Sequence, residues 1–177
     1  MRGPFRRGRS GRGLSSKAGF HRYRWDLRGQ GSTMVLPGRY ELRLVFDGGQ
    51  AAQQVELTMD PRVAAEGVTR DDLQAQRELV AKVQALSQRA NALAASARRW
   101  RDRDDAEERA ALDAINDRLN NARQTYPQQM LLSQIRYLSS MINRADQRPG
   151  NHAYQRYDQL VEEVTALERQ LAELDDK

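Results

Sequence analysis

The side chains able to do chemistry near neutral pH are few and scattered. The two histidines, His21 and His152, have no second His and no Cys at ligand spacing. Ligand clusters are what mark a metal centre, so both read as surface residues. Asp102, Asp104, Asp105, Glu107 and Glu108 crowd one stretch. Such carboxylates could pair for hydrolysis or hold a divalent cation. They equally suit a helix start, where the macrodipole favours acidic groups, and the interleaved Arg101, Arg103 and Arg109 compensate them. The capping reading is preferred because it needs no ligand.

Cysteine is absent from the 177 residues, which excludes disulfides, thiolate nucleophiles and Cys-based zinc sites. No Walker loop, GxGxxG, GxSxG or HExxH motif occurs. The sequence therefore yields no catalytic, cofactor-binding or metal-ligating residues. A non-enzyme without cofactor is the expectation.

Basic residues beside aromatics can bind nucleic acid. Arg98, Arg99, Arg101 and Arg103 flank Trp100, yet cations also suit a helix C-terminus and Trp100 falls on an apolar stripe. Residues 69–177 carry 17 basic and 18 acidic groups, whereas a duplex-binding face should be one-sided. The net charge of +5 resides in the N-terminal stretch, since residues 1–25 hold 8 basic groups and no acidic one. Arg2, Arg6, Arg7, Arg9 and Arg12 lie there among glycines. They make salt-sensitive RNA binding the alternative function, against a non-functional leader or a misassigned start. Arg outnumbers Lys 26 to 3, and with so much Ala this suggests a high-GC, bacterial source.

Residues 1–19 hold too little apolar surface to offset chain entropy and are expected to be disordered. Period-two alternation then marks strands. Tyr23, Trp25 and Leu27 share one face; so do Tyr40, Leu42, Leu44 and Phe46, and then Val55, Leu57 and Met59. Asp47-Gly48-Gly49 supplies a tight hairpin with positive-φ residues, and Asp60-Pro61 ends the last strand.

Eleven of the 12 glycines precede residue 69, where the pattern becomes helical. Thr69 and Asp72 resemble a capping box. Leu79, Val83, Leu86, Ala90, Leu93, Ala97 and Trp100 form a heptad stripe over about residues 70–100. Its many alanines imply closely spaced helices or modest stability. A second stripe, opened by Asp104 and Glu107, holds Leu112, Ile115, Leu119 and Ala122. Thr125, Pro127 and Gln128 predict a third start, followed by Leu131, Ile135, Leu138, Ile142 and Ala145. Pro149-Gly150 should stop it. Asn151 should cap a fourth, with Tyr157, Leu160, Val164, Leu167, Leu171 and Leu174.

The expected fold is α+β: a small antiparallel Ig-like β unit of about three strands, an incomplete sandwich, then an antiparallel four-helix bundle. The expected division is a tail over 1–19, a β unit over 20–60, a linker over 61–68 and helices over 69–176. No apolar run approaches the ~20 residues that span a bilayer. No secretory signal is read in the sequence as written. The heptad-like stripes leave open pairing between chains as a homodimer.

Three stretches resemble one family: KAGFHRYRWDLRGQG (17–31), VLPGRYELRLVFDGG (35–49) and VELTMDPRV (55–63). Together they are similar to the Ig-like end module of bacterial sortilin-like, BNR-repeat β-propeller proteins, often labelled glycosyl hydrolases. The same strands are more weakly similar to the Ig-like part of flagellar hook-capping proteins. DLQAQ (72–76) and YPQQMLLSQIRYLSSMINRADQRP (126–149) resemble the helical segment that follows in the propeller family.

The resemblance implies the C-terminal end of a larger secreted or periplasmic parent. It carries over no catalytic residue, because those would lie in a propeller that this sequence lacks. It implies a role in packing or binding; the first expectation is a protein-binding module that docks on a propeller of the same parent or on another protein by burying the apolar set Tyr23, Trp25, Tyr40, Leu42 and Leu44. A further alternative is an accessory domain of a glycosyl hydrolase-like protein, with Tyr126 or Tyr154 stacking on sugars.

Overall fold

The computed structural model describes residues 17–29, 33–99, 105–120 and 128–175. Among the described residues it is mixed α and β. One antiparallel sheet of two strands, β1 (Gly38–Phe46) and β2 (Gly49–Leu57), comes first. Five helices follow: α1 (Pro61–Ala65), α2 (Arg70–Arg99), α3 (Ala106–Leu119), α4 (Leu131–Ile142) and α5 (Asn151–Asp175).

The strands pair from Gly38 opposite Leu57 to Phe46 opposite Gly49, leaving a two-residue turn, Asp47-Gly48. Within it only Gly48 has positive φ, at 89°, so one left-handed residue closes the hairpin where the sequence suggested more. A third strand, expected over residues 21–27, is not among those formed. The chain there bonds to itself instead. The Arg28 amide donates to Asp26 Oδ1 at 3.1 Å, and Leu27 takes φ +59°. Val35 N then donates to the Leu27 carbonyl at 2.8 Å and Gly29 N to Thr33 at 2.9 Å. An isolated Arg28–Met34 bridge is what remains of sheet pairing in that segment.

The expected linker contains α1. Asp60 caps it, accepting from Arg62 N at 2.9 Å and from the Arg62 guanidinium at 2.7 Å. These side-chain and backbone hydrogen bonds hold the Asp60 carboxyl down at about 2. The capping box at α2 forms as expected: Thr69 N and Oγ1 donate to Asp72 Oδ2 at 2.9 and 2.6 Å, and Asp72 N donates to Thr69 Oγ1 at 3.2 Å. At α3 the cap is Asp105, accepting from Glu107 N at 2.7 Å and Glu108 N at 3.1 Å.

The stripes of α2, α3, α4 and α5 meet in one core. From α2 come Leu79, Val80, Val83 and Leu86 towards its start, and Ala90, Leu93, Ala94 and Ala97 towards its end. Leu112, Ile115 and Leu119 enter from α3; Leu131, Ile135, Leu138 and Ile142 from α4; Leu160, Val164, Leu167 and Leu171 from α5. No polar or charged side chain among the described residues is buried, so the helices are held by apolar contact. Each fully buried large side chain contributes roughly 1.5–3 kcal/mol. Ion pairs at the rim, such as Arg89 to Glu168 at 2.6 Å joining α2 to α5, add less than about 1 kcal/mol each.

The boundaries of α4 depart from expectation at both ends. Its cap is Met130, with no side-chain hydrogen bond; Thr125 and Pro127 lie outside the described residues. Its end is Ile142 rather than the Pro149-Gly150 stop, and Ala145 is exposed. Asn143 caps that end, its amide donating to the Ser139 carbonyl at 3.2 Å and its Nδ2 to the same carbonyl at 2.7 Å. Gln76 of α2 donates to the carbonyls of Ile142 and Ala145, both at 2.6 Å, satisfying acceptors that a helix end leaves open. Arg148 then reaches Asp72 Oδ1 at 3.3 Å.

Leu86→Ala, or Leu138→Ala, should cost about 2–5 kcal/mol of unfolding free energy in urea titrations followed by circular dichroism. A loss near zero would refute the shared core. The Thr69 hydroxyl and amide, helped by Arg148, hold the Asp72 carboxyl below its ordinary value of 3.8. A lowered folded value contributes stability above the unfolded value, lost as pH falls through the folded one. The urea midpoints of wild type and Asp72→Asn should therefore differ at pH ~7 and converge as pH drops below about 4. A gap independent of pH would remove the charge argument.

Candidate interaction surface

The expected binding set was Tyr23, Trp25, Tyr40, Leu42 and Leu44. Period two puts Tyr40, Leu42, Leu44 and Phe46 of β1 on one face, directly opposite Val55, Gln53, Ala51 and Gly49 of β2. None of these eight side chains is charged. Arg39, Glu41 and Arg43 share the other face with Glu56 and Gln54. There Arg43 bonds Glu41 at 2.5 Å, and Gln54 Nε2 reaches Glu41 Oε2 across the strands at 3.4 Å.

The uncharged face is open towards the turn. Leu42 is 40%, Leu44 48% and Phe46 54% exposed. Towards the other end it is anchored. Trp25 meets Tyr40 edge to face with ring centroids 5.7 Å apart, a pairing worth about 0.5–1.5 kcal/mol beyond burial. The Tyr40 hydroxyl donates to the Leu36 carbonyl at 2.5 Å, Trp25 Nε1 donates to Arg28 O at 3.2 Å, and Leu36 itself is buried. So Trp25 and Tyr40 form a foot, while Leu42 and Leu44 form a free face. Tyr23 is 62% exposed and joins neither.

Two members escaped the sequence reading of the site. Phe46 was visible in the alternation, but its role depends on Gly49. A Cβ added at Gly49 would lie 3.1 Å from the Phe46 ring, so the ring covers the glycine across the turn. Leu36 precedes Pro37-Gly38 and carried no periodic signal. The hairpin shares no extensive interface with any helix. Arg70 Nε of α2 donates to the Pro37 carbonyl, just before β1, at 3.2 Å.

The remaining candidates take separate places. His21 is exposed and its Nε2 lies 2.5 Å from the Lys17 carbonyl. His152 sits on a groove wall between α4 and α5. Asp105, Glu107 and Glu108 serve the α3 start, as above, and no group of three possible metal ligands occurs among the described residues. Tyr154 is half-buried against the helical core, which leaves it little face for a sugar. Arg2, Arg6, Arg7, Arg9, Arg12, Trp100, Asp102, Asp104 and Tyr126 lie outside the described residues. No described helix is long and apolar enough to cross a membrane.

Removing one hydroxyl tests the foot. Tyr40→Phe should speed amide exchange in β1 and β2 roughly two- to tenfold, the equivalent of one hydrogen bond. The amides of α2 to α5 should not respond. A uniform change across the chain would show that hairpin and helices unfold as one. Comparison of the chain with protein-family models, with curated proteins and with solved structures finds no match.

Proposed function

We propose that this chain is a non-catalytic interaction and structural module. The β segment is an incomplete Ig-like unit finished by strands of a partner, and α2 to α5 are the antiparallel four-helix bundle that carries it. The observation behind this reading is the uncharged hairpin face with Leu42, Leu44 and Phe46 open to solvent. A two-stranded hairpin is marginal in water by itself and normally needs a further strand or a packed face. β2 (GQAAQQVEL) is poor in β-branched and aromatic residues, so its own propensity does not compensate. The partner suited to this face is the apolar side of an antiparallel sheet.

The family resemblance of residues 17–31, 35–49 and 55–63 supplies a context. The partner would be the sortilin-like β-propeller, or the missing strands, of a secreted or periplasmic parent. The glycosyl hydrolase label of such parents would then belong to the propeller and not to this module.

Co-expression with a tagged sortilin-like propeller from the same genome tests the reading. Wild type should co-purify, and the double variant Leu42→Lys with Leu44→Lys should not, while its helical circular dichroism stays unchanged. Failure of wild type to co-purify, or equal recovery of both, would sink it. Titration with labelled single-stranded RNA separates the alternative. Binding that falls steeply with salt and vanishes on removal of residues 1–19 would favour nucleic acid instead.

A further inference from the structure

β1 and β2 form a sheet of two strands, and among the described residues no further strand lies along the outer edge of β1. The hairpin closes on a two-residue turn, so Phe46 and Gly49 beside it exchange both backbone bonds. Such pairs alternate along the ladder with pairs that exchange none. Gly38, Tyr40, Leu42, Leu44 and Phe46 therefore direct their backbone groups to β2. Arg39, Glu41, Arg43 and Val45 turn theirs to the outer edge. A row of this kind is a template for another strand. Residues 42–46 are all exposed, and Val45 reaches 72%.

We propose that this edge pairs antiparallel with the same edge of a second copy, Leu42 against Leu42, giving a four-stranded sheet across a two-fold axis. The order of charges along β1 (GRYELRLVF) selects this partner and this register. Paired about Leu42, Glu41 of each copy stands opposite Arg43 of the other. Opposite charges directly across an antiparallel pair stabilise it, and like charges destabilise it. On the uncharged face Leu42 meets Leu42, Tyr40 meets Leu44, and Phe46 meets Gly38. On the charged face the exposed Val45 falls opposite Arg39, whose aliphatic stem can cover it. Every residue from Gly38 to Phe46 then has a counterpart.

The neighbouring registers fail. Two-fold pairing about Glu41 sets Glu41 against Glu41 and Arg39 against Arg43, and pairing about Arg43 sets Arg43 against itself. About Tyr40, Arg43 meets Pro37, which has no amide to donate. About Leu44, Glu41 meets Asp47.

β2 offers no such selection. Its one charged residue is Glu56, so no register of β2 on itself forms an opposite-charge pair, and weakly specified strands slip. Joining β1 of one copy to β2 of the next leaves a new edge each time and builds an open chain of molecules, whereas the β1 contact closes on itself. Four strands also meet the need of a hairpin for at least one more strand. The inference shares with the proposed function the premise that the hairpin is completed from outside, and it concerns the edge of β1 where that reading concerned its face.

Sedimentation equilibrium of the full chain alone should fit a monomer–dimer equilibrium. Glu41→Arg and Arg43→Glu each set like charges across the contact, and each should weaken self-association about tenfold or more. Mixing the two variants restores opposite charges, so an equimolar mixture should recover a dimer of near wild-type affinity, one copy of each. Both variants lose the Glu41–Arg43 ion pair within β1, and mixing does not repair that bond, so recovery reports the contact between copies. Amide exchange at Arg39, Glu41, Arg43 and Val45 should slow as concentration rises, with the amides of α2 to α5 unchanged. A monomer at every concentration, a dimer indifferent to both variants, a mixture no stronger than its components, or open-ended assembly would overturn the proposal. Protection of those four amides in a monomer would place a segment of the chain itself on the edge and overturn it too. No propeller is present in this experiment, so its failure leaves the co-purification result standing, and the reverse holds.

Discussion

A helix of 30 residues cannot leave its apolar stripe in water, and everything helical in this chain follows from how the stripe of α2 is covered. α3, α4 and α5 each pack on α2, and the core they form has no buried polar side chain among the described residues. No internal hydrogen bond therefore dictates which helix lies where. Position is set at the edges. Gln76 bonds the end of α4, Arg148 meets Asp72, and Arg89 meets Glu168. Each of these rim contacts involves a residue of α2. Apolar burial supplies the energy, and polar contacts at the rim, those of α2 and that of Arg156 on α5 with Gln134 on α4, supply the register.

The hairpin obeys a different balance. Its backbone bonds are complete between the two strands, but its side chains bury little away from the Trp25, Tyr40 and Leu36 foot. Local stability tracks buried apolar contact, so the turn end of the hairpin should open far more readily than the helical core. The reading of this segment as an interaction surface rests on that contrast.

How much of this was legible in the sequence depended on whether the determinant was local. The stripes of Leu79 to Ala97, Leu112 to Leu119 and Leu160 to Leu171 are periodic, and the buried residues follow them. The Thr69–Asp72 box and the β1–β2 turn are equally local. The link from Gln76 to the end of α4 was not legible, because its partners lie 66 residues apart in the chain. Nor was the fate of Tyr23 and Trp25. Alternation announces that a segment has two faces, but it does not name the neighbouring strand, and here Asp26 and Leu27 turn the chain back on itself. The groove between α4 and α5 escaped for the same reason: a stripe tells which residues can go inside, not which apolar residues stay outside.

The uneven stripe of α2 has a consequence for how this sequence tolerates change. Its first half packs leucine and valine, and its second half is mostly alanine. Shrinking a side chain opens a cavity in the first half, while an alanine has almost nothing to lose. Enlarging one is the reverse, since Ala90, Ala94 and Ala97 are buried and added methylenes in a packed core force neighbours to shift. Substitutions should thus be filtered in opposite directions at the two ends of a single helix. Sequences that keep this architecture would drift among aliphatic residues near Leu79 and stay confined to small ones near Ala97.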